Sequence, residues 1–531
     1  MDKNSDSWRG AVFYQIYPRS FLDTNGDGIG DLPGVTKKLE YVASIGVDGV
    51  WLSPFFKSPM RDFGYDVSDY LDVDPIFGTL ADFDRLLARA HELGLKVIID
   101  QVLSHTSDLH PWFVESRQSR TGARADWYVW AEAKPDGTPP NNWQSIFSGP
   151  SWTWDMQRRQ YYLHNFLPSQ PALIVRDPEV QSALLDVCRF WLDRGVDGFR
   201  LDAVNHAMCD PELRDNPLRC ETPGPAQFAK PHDFQKVVHN ISHPDVIPFL
   251  EKLRRLTDQY GDRFMVAEVG GAQPLSDMLA YTEGTKRLHT AYSFDFLEAE
   301  TLTPDVVRQF VAPWLKAENL ASWPAWAFSN HDRPRAISRF SHNETADPKL
   351  GKLLLTLLIA LRGNSFIYQG EELGLPQGHV PFDRLTDPEA ISNWPVTLGR
   401  DGTRTPMPWV AKAVQGGFSD GEPWLPLDPE QVKYAVDGQG AEPKSLLHFT
   451  RALLKTRRQL PDLIDGDMQF LDEDQDPILT FRRGDVLCRF NLSAEPVESL
   501  PQTGDVLFDV NGGFGGGVAK PYAAEWRRGW R

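Results

Sequence analysis

KVIIDQV, residues 96–102, is a short apolar run with a carboxylate near its end, and LSH follows at residues 103–105. An unbroken apolar run of this length is typical of a strand in a parallel sheet that is buried on both faces. Helix-like stretches occur before and after it, for example Leu80–Leu93 and Pro178–Asp193. Seven more runs of the same type are predicted as strands: Ala11–Tyr17, Gly49–Ser53, Gly198–Val204, Phe264–Val269, Ala291–Phe296, Ala325–Ser329 and Ser365–Gln369.

This alternation of strands and helices predicts an α/β fold with a parallel sheet. Eight strand–helix units favour a closed (β/α)8 TIM barrel, in which the carboxyl ends of all strands meet at one mouth. An open, doubly wound sheet is the alternative that the pattern leaves open.

Two long insertions interrupt the alternation. The first, residues 105–177, follows the third strand and is rich in Trp, Pro, Asn and Ser. The second, residues 374–442, follows the eighth strand and is rich in Pro, Gly, Asp and Trp. Loops of this length usually carry function or form a subdomain. We therefore predict a barrel over residues 1–104 and 178–460, with the second insertion as a subdomain, and an inserted, loop-rich domain B over residues 105–177.

The pattern changes to short strands and turns from residue 461 to residue 531. Ile478–Arg482, Val486–Leu492 and Asp505–Val510 are predicted strands. Asn511-Gly512 is a strong signal for a hairpin turn, since both residues tolerate positive φ. We predict an all-β C-terminal domain over residues 461–531.

The composition argues against several classes of protein. A net charge of −18 argues against nucleic acid as a partner, because phosphate binding needs a basic surface. No stretch approaches the roughly 20 apolar residues of a membrane span, and the first residues contain no apolar leader. These observations predict a cytoplasmic protein without a membrane partner. The four cysteines form no C-x-x-C pair, which argues against a zinc or redox motif.

Polar side chains stand at or just after the ends of most predicted strands. A single Asp in such a place is usually a helix cap or a turn residue, but a barrel brings all these ends to one mouth. Without a cluster of His and Cys they do not suggest a transition metal, and no G-x-S-x-G elbow of a serine hydrolase is present. The residues are Asp62, Tyr65, Asp66, Asp100, His105, Arg200, Asp202, Glu268, Asn330, His331, Asp332, Glu371 and Glu372.

Two of these carboxylates have the surroundings that glycoside hydrolysis requires. The reaction needs one ionised carboxylate beside the anomeric carbon and a second, protonated one at the leaving group. Arg200 lies two residues before Asp202 on the same strand, so it points to the same side and would hold that carboxylate ionised. Glu268 follows the apolar run Phe264–Ala267, a setting that would raise its pKa.

Several stretches resemble the signature regions of glycoside hydrolase family 13. They are DQVLSH at 100–105, GFRLD at 198–202, VAEV at 266–269 and SNHD at 329–332. YQIYPRSFLDTNGDGIGDL at 14–32 and GYDVSDY at 64–70 also resemble this family. GRDGTRTPMPW at 399–409 resembles its α-glucosidase and oligo-1,6-glucosidase branch. The motifs follow in order along nearly the whole chain, which makes the set far more specific than any single motif.

The resemblance implies a role for each matching residue. It implies Asp202 as nucleophile, Glu268 as general acid/base, and Asp332 as the carboxylate that stabilises the transition state by binding sugar hydroxyls. Asp62 and Arg400 would close the pocket beyond one glucose, so that glucose leaves one unit at a time. The full set implied to bind this glucose or to support its binding is Asp62, Tyr65, His105, Phe166, Arg200, His331 and Arg400.

The resemblance therefore implies a retaining, exo-acting α-glucosidase that acts on a small oligosaccharide or α-glucoside through a covalent glucosyl-aspartate intermediate. Ala203 follows the nucleophile; in this branch a small residue there goes with α-1,4 linkages and Val with α-1,6 linkages. We expect maltose-like substrates. The alternative is an α-glucosyl-transferring or sucrose-processing enzyme of the same family. A binding protein that had lost catalysis would lack a carboxylate, and all three are present.

The chain also departs from the branch. QPALI at 170–174 stands where QPDLN is usual, and Ser104 replaces the usual Asn before His105. The loop His206–Asp210 is unusual and could reshape the acceptor side. These departures leave the subfamily and the linkage open, and the sequence does not decide between a monomer and a homodimer.

A loop near the start of the chain, D-x-N-x-D-G-x-G-D, carries oxygen ligands at alternate positions. This spacing suits Ca²⁺, although Gly34 stands where an EF-hand would have Glu. Members of the family bind a structural Ca²⁺ or Mg²⁺ here, so the resemblance implies such an ion and no organic cofactor. A metal-free turn is the alternative. The ligands would be Asp23, Asn25, Asp27, the Ile29 carbonyl and Asp31.

Overall fold

The structure is a computed structural model that describes residues 8–219, 230–271, 273–316, 319, 321–341, 347–397 and 399–530. Eight parallel strands form its central sheet: β1 (Val12–Ile16), β2 (Gly49–Leu52), β3 (Lys96–Val102), β4 (Gly198–Asp202), β5 (Phe264–Val269), β6 (Thr290–Ser293), β7 (Ala325–Ala327) and β8 (Asn364–Tyr368). Their order in the sheet is β6-β5-β4-β3-β2-β1-β8-β7. A parallel bridge between Ala291 in β6 and Pro324 just before β7 closes the ring. The prediction of a (β/α)8 barrel is confirmed, and the open sheet is wrong.

A long helix follows each strand on the outside of the ring: α1 (Leu32–Ile45), α2 (Leu80–Glu92), α3 (Pro178–Asp193), α4 (Val246–Thr257), α5 (Pro274–Thr282), α6 (Pro304–Val311), α7 (Pro348–Ala360) and α8 (Leu446–Arg458). Local sequence explains where several of them begin. Thr79 and Asp82 form a capping box at the start of α2, and Asp177 caps α3 by accepting from the Glu179 amide. Proline at the first position of α3 fits a place where no amide hydrogen is needed.

The strands are buried on both faces, which explains why they are apolar throughout. Inside the ring, Phe13 stacks on Phe264 and Phe366 with ring centroids 5.0 and 5.4 Å apart. Outside the ring, the strands pack against the helices in one large apolar core. Functional polar side chains are thereby restricted to the carboxyl ends of the strands.

Six strands end earlier than the sequence predicts: β1, β2 and β8 by one residue, β4 and β7 by two, and β6 by three. β4 ends at Asp202 because Ala203 adopts a left-handed backbone with φ of 36°, and residues 204–206 then form a 3-10 helix. β6 ends at Ser293, and Asp295–Glu298 is a short helix rather than a strand. Val204 and Phe296 are residue types that favour strands, yet both lie in helical turns. The local sequence does not indicate this.

The insertion after β3 contains the helix Pro111–Gln118 and a three-stranded antiparallel sheet. Gln160–Leu163 is the central strand of this sheet, between Trp130–Ala131 and Trp152–Asp155. The insertion after β8 contains the short helices Pro388–Asn393, Pro429–Val432 and Val436–Ala441. A fourth short helix, Ala336–Arg339, lies between β7 and α7.

The C-terminal part of the chain is all β, as predicted. Its strands are β9 (Met468–Phe470), β10 (Ile478–Arg483), β11 (Val486–Asn491), β12 (Val497–Glu498), β13 (Asp505–Val510), β14 (Phe514–Gly515), β15 (Val518–Ala519) and β16 (Ala524–Arg528). They form a five-stranded sheet, β9-β10-β11-β16-β13, and a three-stranded sheet, β12-β15-β14. Asn511 and Gly512 do turn with positive φ, but the flanking strands β13 and β14 enter different sheets, so the predicted hairpin is wrong.

Over the described ranges, none of the helices has the length and apolar character needed to cross a membrane.

Candidate active site

A cavity of about 510 Å³ opens at the carboxyl ends of the barrel strands. The structure brings most of the predicted site residues to its wall, although they come from seven separate stretches of the chain. Arg200 and His331 lie just behind the wall and are fully buried. The predicted residues that line the cavity are Asp62, Tyr65, His105, Phe166, Asp202, Glu268, Asp332 and Arg400.

Arg200 is the centre of the polar network at the base of this cavity. The strand register places it beside Asp100 of β3, and its guanidinium lies 4.9 Å from the ring centroid of Trp51. Its Nη1 donates to Asp100 Oδ1 at 2.5 Å and to Asp202 Oδ1 at 2.6 Å. Its Nη2 makes an ion pair with Glu268. One cation therefore serves three buried carboxyl groups.

Glu268 is held within a few ångströms of the Asp202 backbone. The amide of Ala203, the residue after Asp202, points at Glu268 Oε2 across 3.2 Å because of the left-handed turn there. Tyr292 lies beside Glu268 in the register of β5 and β6, and its hydroxyl donates to Glu268 Oε1 at 3.1 Å. The same hydroxyl accepts from Arg200 Nε and Nη2 at 3.1 Å each.

Burial raises the pKa of Glu268 to about 7, against the opposing effect of Arg200. Burial also raises the pKa of Asp202 to about 7, because Arg200 offsets desolvation only in part and Asp100 adds a second negative charge. The expectation that Arg200 keeps the pKa of Asp202 low is therefore not met. At neutral pH the two carboxyl groups share a proton. Arg200 contacts both groups, Asp202 through Nη1 and Glu268 through Nη2, so its positive charge stabilises the ionised form of each.

Asp332 has the opposite electrostatic setting. Burial alone would raise its pKa, but His331, Arg404 and Arg400 together hold it below its ordinary value. Arg404 Nη2 donates to Asp332 Oδ1 at 2.8 Å, and Arg400 Nη1 lies 3.6 Å from the same oxygen. Two arginines therefore keep this carboxylate ionised on the cavity wall.

His331 is neutral, since burial lowers its pKa to about 3. Gln15 Nε2 donates to His331 Nδ1 at 2.8 Å, which leaves the ring proton on Nε2. That nitrogen lies 2.5 Å from the Tyr65 hydroxyl and 3.2 Å from Asp332 Oδ2. The Tyr65 ring stacks on His331 with centroids 5.4 Å apart. His331 thus positions the side chains of Tyr65 and Asp332 from the side that faces away from the cavity.

Charged side chains also close one end of the cavity. Arg400 Nη2 donates to Asp62 Oδ1 at 2.8 Å and to Asp387 Oδ1 at 2.8 Å. Asp387 caps the helix Pro388–Asn393 and is fully buried. Gln170, the first residue of QPALI, donates to Asp62 Oδ2 at 2.9 Å. The cavity end is therefore fixed by a buried network that spans three separate segments.

His105 and Phe166 form a side wall with ring centroids 5.2 Å apart. Burial lowers the pKa of His105 to about 4, so the ring is neutral at physiological pH. Its Nε2–H donates to the Tyr65 carbonyl at 3.0 Å, and Ser104 Oγ lies 3.0 Å from its Nδ1. Ser104 thus contacts His105 at the position where the branch usually has Asn.

Several residues of this site are not among those predicted from the motifs quoted above. Tyr292, Arg404, Asp387 and Gln170 each contact a predicted site residue but were not predicted to do so. Arg404 could have been found, since it lies in the motif at 399–409. Asp387 is followed by Pro-Glu, which signals a helix cap rather than a site residue. Glu371 and Glu372 stand at a strand end yet bond Ser329 and Tyr14 instead of entering the cavity.

The predicted metal loop lies before α1, away from this cavity. Asp23 accepts from the amides of Asn25, Gly26 and Gly28, and Asp31 caps α1 through the Gly34 amide. Over the part of the chain that the structure describes, no three His, Cys, Asp or Glu side chains are gathered as a ready metal site. The donor chemistry suits Ca²⁺ or Mg²⁺, and the ion stays a prediction.

Comparison with known proteins identifies the family. A family model described as "Alpha amylase, catalytic domain" matches residues 15–466, and a second, described as a domain of unknown function (DUF3459), matches residues 470–526. The chain belongs to the α-amylase family. The prediction of glycoside hydrolase family 13 is confirmed.

Relatives within the α-amylase family place the chain in its α-glucosidase branch. A "Probable alpha-glucosidase" of Rhizobium meliloti (strain 1021) is 50% identical over 505 residues, which cover 93% of this chain and 91% of the relative. An "Oligo-1,6-glucosidase" of Parageobacillus thermoglucosidasius is 36% identical, with 90% of this chain and 88% of the relative covered. The crystal structure of an "alpha-glucosyl transfer enzyme" superposes with a TM-score of 0.92 at 48% identity, covering 99% of this chain and 100% of the other. This member of the α-amylase family is a glycoside hydrolase that acts on small α-glucosides.

Proposed function

We propose that this enzyme is a retaining, exo-acting α-glucosidase that releases glucose from the non-reducing end of short α-1,4-glucosides. The observation that carries the proposal is the closeness of Asp202 and Glu268 in one cavity. A single guanidinium contacts both, and the amide next to Asp202 lies 3.2 Å from Glu268. Retaining enzymes need carboxyl groups about 5 Å apart, whereas inverting enzymes need room for a water molecule between them.

We assign each carboxyl group the task that the family resemblance implies. Asp202 attacks the anomeric carbon while Glu268 gives its proton to the glycosidic oxygen, so the carbon–oxygen bond to the leaving sugar breaks as the glucosyl-aspartate bond forms. Glu268, now ionised, removes a proton from water, and the hydroxide formed releases glucose with its α configuration. Asp332, held ionised by Arg400 and Arg404, is placed to bind sugar hydroxyls.

The closed end of the cavity supports exo-action. The Asp62–Arg400 pair, backed by Asp387 and Gln170, blocks the chain beyond one glucose. A cavity of about 510 Å³ falls within the range for small-molecule sites, which suits short substrates better than polysaccharides.

Ala203 supports a preference for α-1,4 linkages. It lines the cavity directly after Asp202, and its small side chain leaves room where Val stands in relatives with α-1,6 specificity. We expect kcat/KM for maltose to exceed that for isomaltose, and Ala203→Val to reduce this ratio. A wild-type enzyme that prefers isomaltose would contradict this assignment.

Glucosyl transfer is a second candidate, favoured by the similar protein named an alpha-glucosyl transfer enzyme. Both reactions share the glucosyl-aspartate intermediate and differ in whether water or another hydroxyl attacks it. Sucrose processing is a third candidate, and it also passes through the glucosyl-aspartate intermediate. Analysis of the products formed from maltose, isomaltose and sucrose separates the three, because only transfer yields products longer than the substrate.

Azide rescue tests the roles of the two carboxyl groups. In Asp202→Ala, azide replaces the missing nucleophile and attacks the α-glucoside from the opposite face, so β-glucosyl azide forms. In Glu268→Ala, Asp202 still forms the β-linked intermediate from a substrate with a good leaving group, and azide then gives α-glucosyl azide. The opposite pairing of anomers, or β-glucose as the first product of the wild-type enzyme, would overturn the proposal.

We also propose that the loop of Asp23, Asn25, Asp27, Ile29 and Asp31 holds a structural Ca²⁺ or Mg²⁺. The ion would tie this loop to Ser419 of the second insertion, which already donates to Asp23. We expect chelation by EDTA to lower the melting temperature of the wild-type enzyme, and added Ca²⁺ to restore it. Asp27→Ala is expected to lose this response, while Asp420→Ala, an exposed neighbour of Ser419, keeps it. A melting temperature indifferent to both EDTA and Ca²⁺ would refute the metal site.

A further inference from the structure

A second, small cavity of about 50 Å³ lies at the opposite end of the barrel, where the strands begin. Trp8 reaches it from the segment before β1, His289 from the residue before β6, and Trp323 from the segment before β7. Arg254 of α4 also lines it, and the other polar lining residues are Arg9, Thr282, Thr285 and Asn364. This volume is large enough to hold a few water molecules or ions of similar size.

The buried polar side-chain atoms of this wall that have no partner are hydrogen-bond donors. The indole Nε1–H groups of Trp8 and Trp323 find no acceptor, although the two side chains are only 5% and 4% exposed. His289 Nδ1 accepts from the Met265 amide at 3.1 Å, so the neutral ring carries its proton on Nε2. Burial and the charge of Arg254 lower the pKa of His289 to about 3, which keeps the ring in this form.

The charge around the cavity is positive. Arg9 and Arg254 line it, and among the described lining residues there is no Asp or Glu. The guanidinium carbons of Arg9 and Arg362 lie 5.2 and 4.4 Å from the ring centroid of Trp323, so two cations lie against one indole. Arg254 is held in place by Asp258 at 2.7 Å and by the Arg287 carbonyl at 2.8 Å.

We propose that this cavity binds a small monovalent anion, such as chloride, that accepts from Trp8, Trp323 and His289. Thr282, Thr285 and Asn364 also line the cavity and can accept, but the unpartnered groups of the wall are donors and its charged side chains are cations. An ion that only accepts matches it better. Because these side chains come from the segments before β1, β6 and β7, the ion would fasten the start of the chain to the part of the ring where it closes.

Thermal unfolding at constant ionic strength tests the site. Chloride and bromide are expected to raise the melting temperature in a saturable way, by on the order of 1–2 °C at about ten times the dissociation constant, relative to the larger methanesulfonate. Trp8→Phe and Trp323→Phe keep the ring shape but remove the donor, so each should lose this rise. Trp526→Phe is the matched control, because that indole nitrogen is also buried without a partner but lies in the C-terminal sheet.

Crystals soaked in bromide provide an independent measurement. We expect an anomalous bromide signal in this cavity of the wild-type enzyme and none in Trp323→Phe. An equal response to methanesulfonate, an undiminished chloride response in Trp323→Phe, or no bromide in the wild-type cavity would each overturn the proposal. If Trp8→Phe does not fold, Trp323→Phe decides alone. Activity on α-glucosides is not needed for either measurement, so the outcome is independent of the proposed function.

Discussion

At the scale of single residues, the catalytic chemistry depends on how one guanidinium is shared. Arg200 contacts Asp100, Asp202 and Glu268, all of them buried. Three carboxylates around one cation cannot all remain ionised at low energetic cost, because burial penalises each uncompensated charge. The cluster therefore holds a proton near neutral pH, and that proton is the one a general acid must supply.

Asp100→Asn tests this view of the cluster. The charge of Asp100 raises the pKa of Asp202, so its removal should lower that pKa. The acidic limb of kcat/KM against pH reports ionisation of the nucleophile. We expect this limb to move to lower pH by about one unit. Asp48→Asn, which changes a half-buried partner of Arg458 and of the Val12 amide, should move neither limb.

A profile of Asp100→Asn in which the acidic limb stays in place would show that Asp100 does not set the nucleophile's ionisation. Loss of overall rate alone would not decide the question, because Trp51 and Arg200 also bond Asp100 and could shift when it changes.

Single residues also mark the limit of what the sequence could predict about the site. Asp202, Glu268 and Asp332 were identifiable because each stands in a short motif at a strand end. Their surroundings were not, since Asp100 and Tyr292 reach Arg200 across about 100 residues of sequence. Strand register creates those contacts, and no local pattern encodes register between strands so far apart.

At the scale of elements, the short helix Pro388–Asn393 connects three walls of the catalytic cavity. Its cap Asp387 holds Arg400, Glu389 forms an ion pair with Lys230, and Asn393 donates to the Phe147 carbonyl of domain B. A helix of one and a half turns has little stability of its own, so these contacts and its cap keep it in place.

Asp387→Ala is expected to reduce kcat/KM on p-nitrophenyl α-glucoside by about 10- to 100-fold, because Arg400 loses the partner that holds it against Asp62. Loss of the cap should also cost about 1 kcal/mol of stability. Asp428→Ala offers a matched control, since Asp428 caps Pro429–Val432 in an identical Asp-Pro-Glu sequence without touching Arg400. If both variants lost activity equally, the loss of a helix cap, rather than the loss of the contact with Arg400, would explain the lower kcat/KM.

The elements themselves were largely predictable. β3 and β5 begin and end at the residues predicted from the apolar runs, and so does α3. These segments are buried on both faces or amphipathic over their whole length, so local sequence and tertiary packing agree. β4 could not be delimited, because Ala203-Val204 favours a strand locally while the left-handed backbone of Ala203 ends it.

At the scale of the whole molecule, the C-terminal sheet covers part of the barrel. α7 is buried on nearly all sides, with Leu353, Leu357 and Ile359 inaccessible to solvent. Arg483 of β10 donates to the Ala360 carbonyl at the end of this helix at 2.7 Å. A helix that is apolar all round needs neighbours on both sides, and the barrel alone supplies one of them.

Deletion of residues 461–531 is therefore expected to yield an aggregated barrel, because it exposes the leucines of α7 to water. Size-exclusion chromatography after expression at low temperature is the measurement. Asn511→Ala, which removes only the hydrogen bonds from this side chain to the Lys349 and Tyr522 carbonyls in the full chain, should stay soluble. A monomeric, soluble truncated chain that still hydrolyses maltose would contradict the prediction.

The join between β6 and β7 bears on how the barrel fluctuates. Every other pair of neighbouring strands in the ring is joined by several paired residues. Among the described residues, β6 and the segment before β7 are joined by one backbone bridge and by a hydrogen bond that the Thr290 hydroxyl donates to the Trp323 carbonyl. Backbone that opens at lower free energy exchanges its amide hydrogens sooner. In deuterium exchange read by mass spectrometry, peptides from β6 and β7 should therefore take up label before those from β3 and β4. The ring would then open first between the strand that carries Tyr292, a partner of Glu268, and the strand that leads to Asp332.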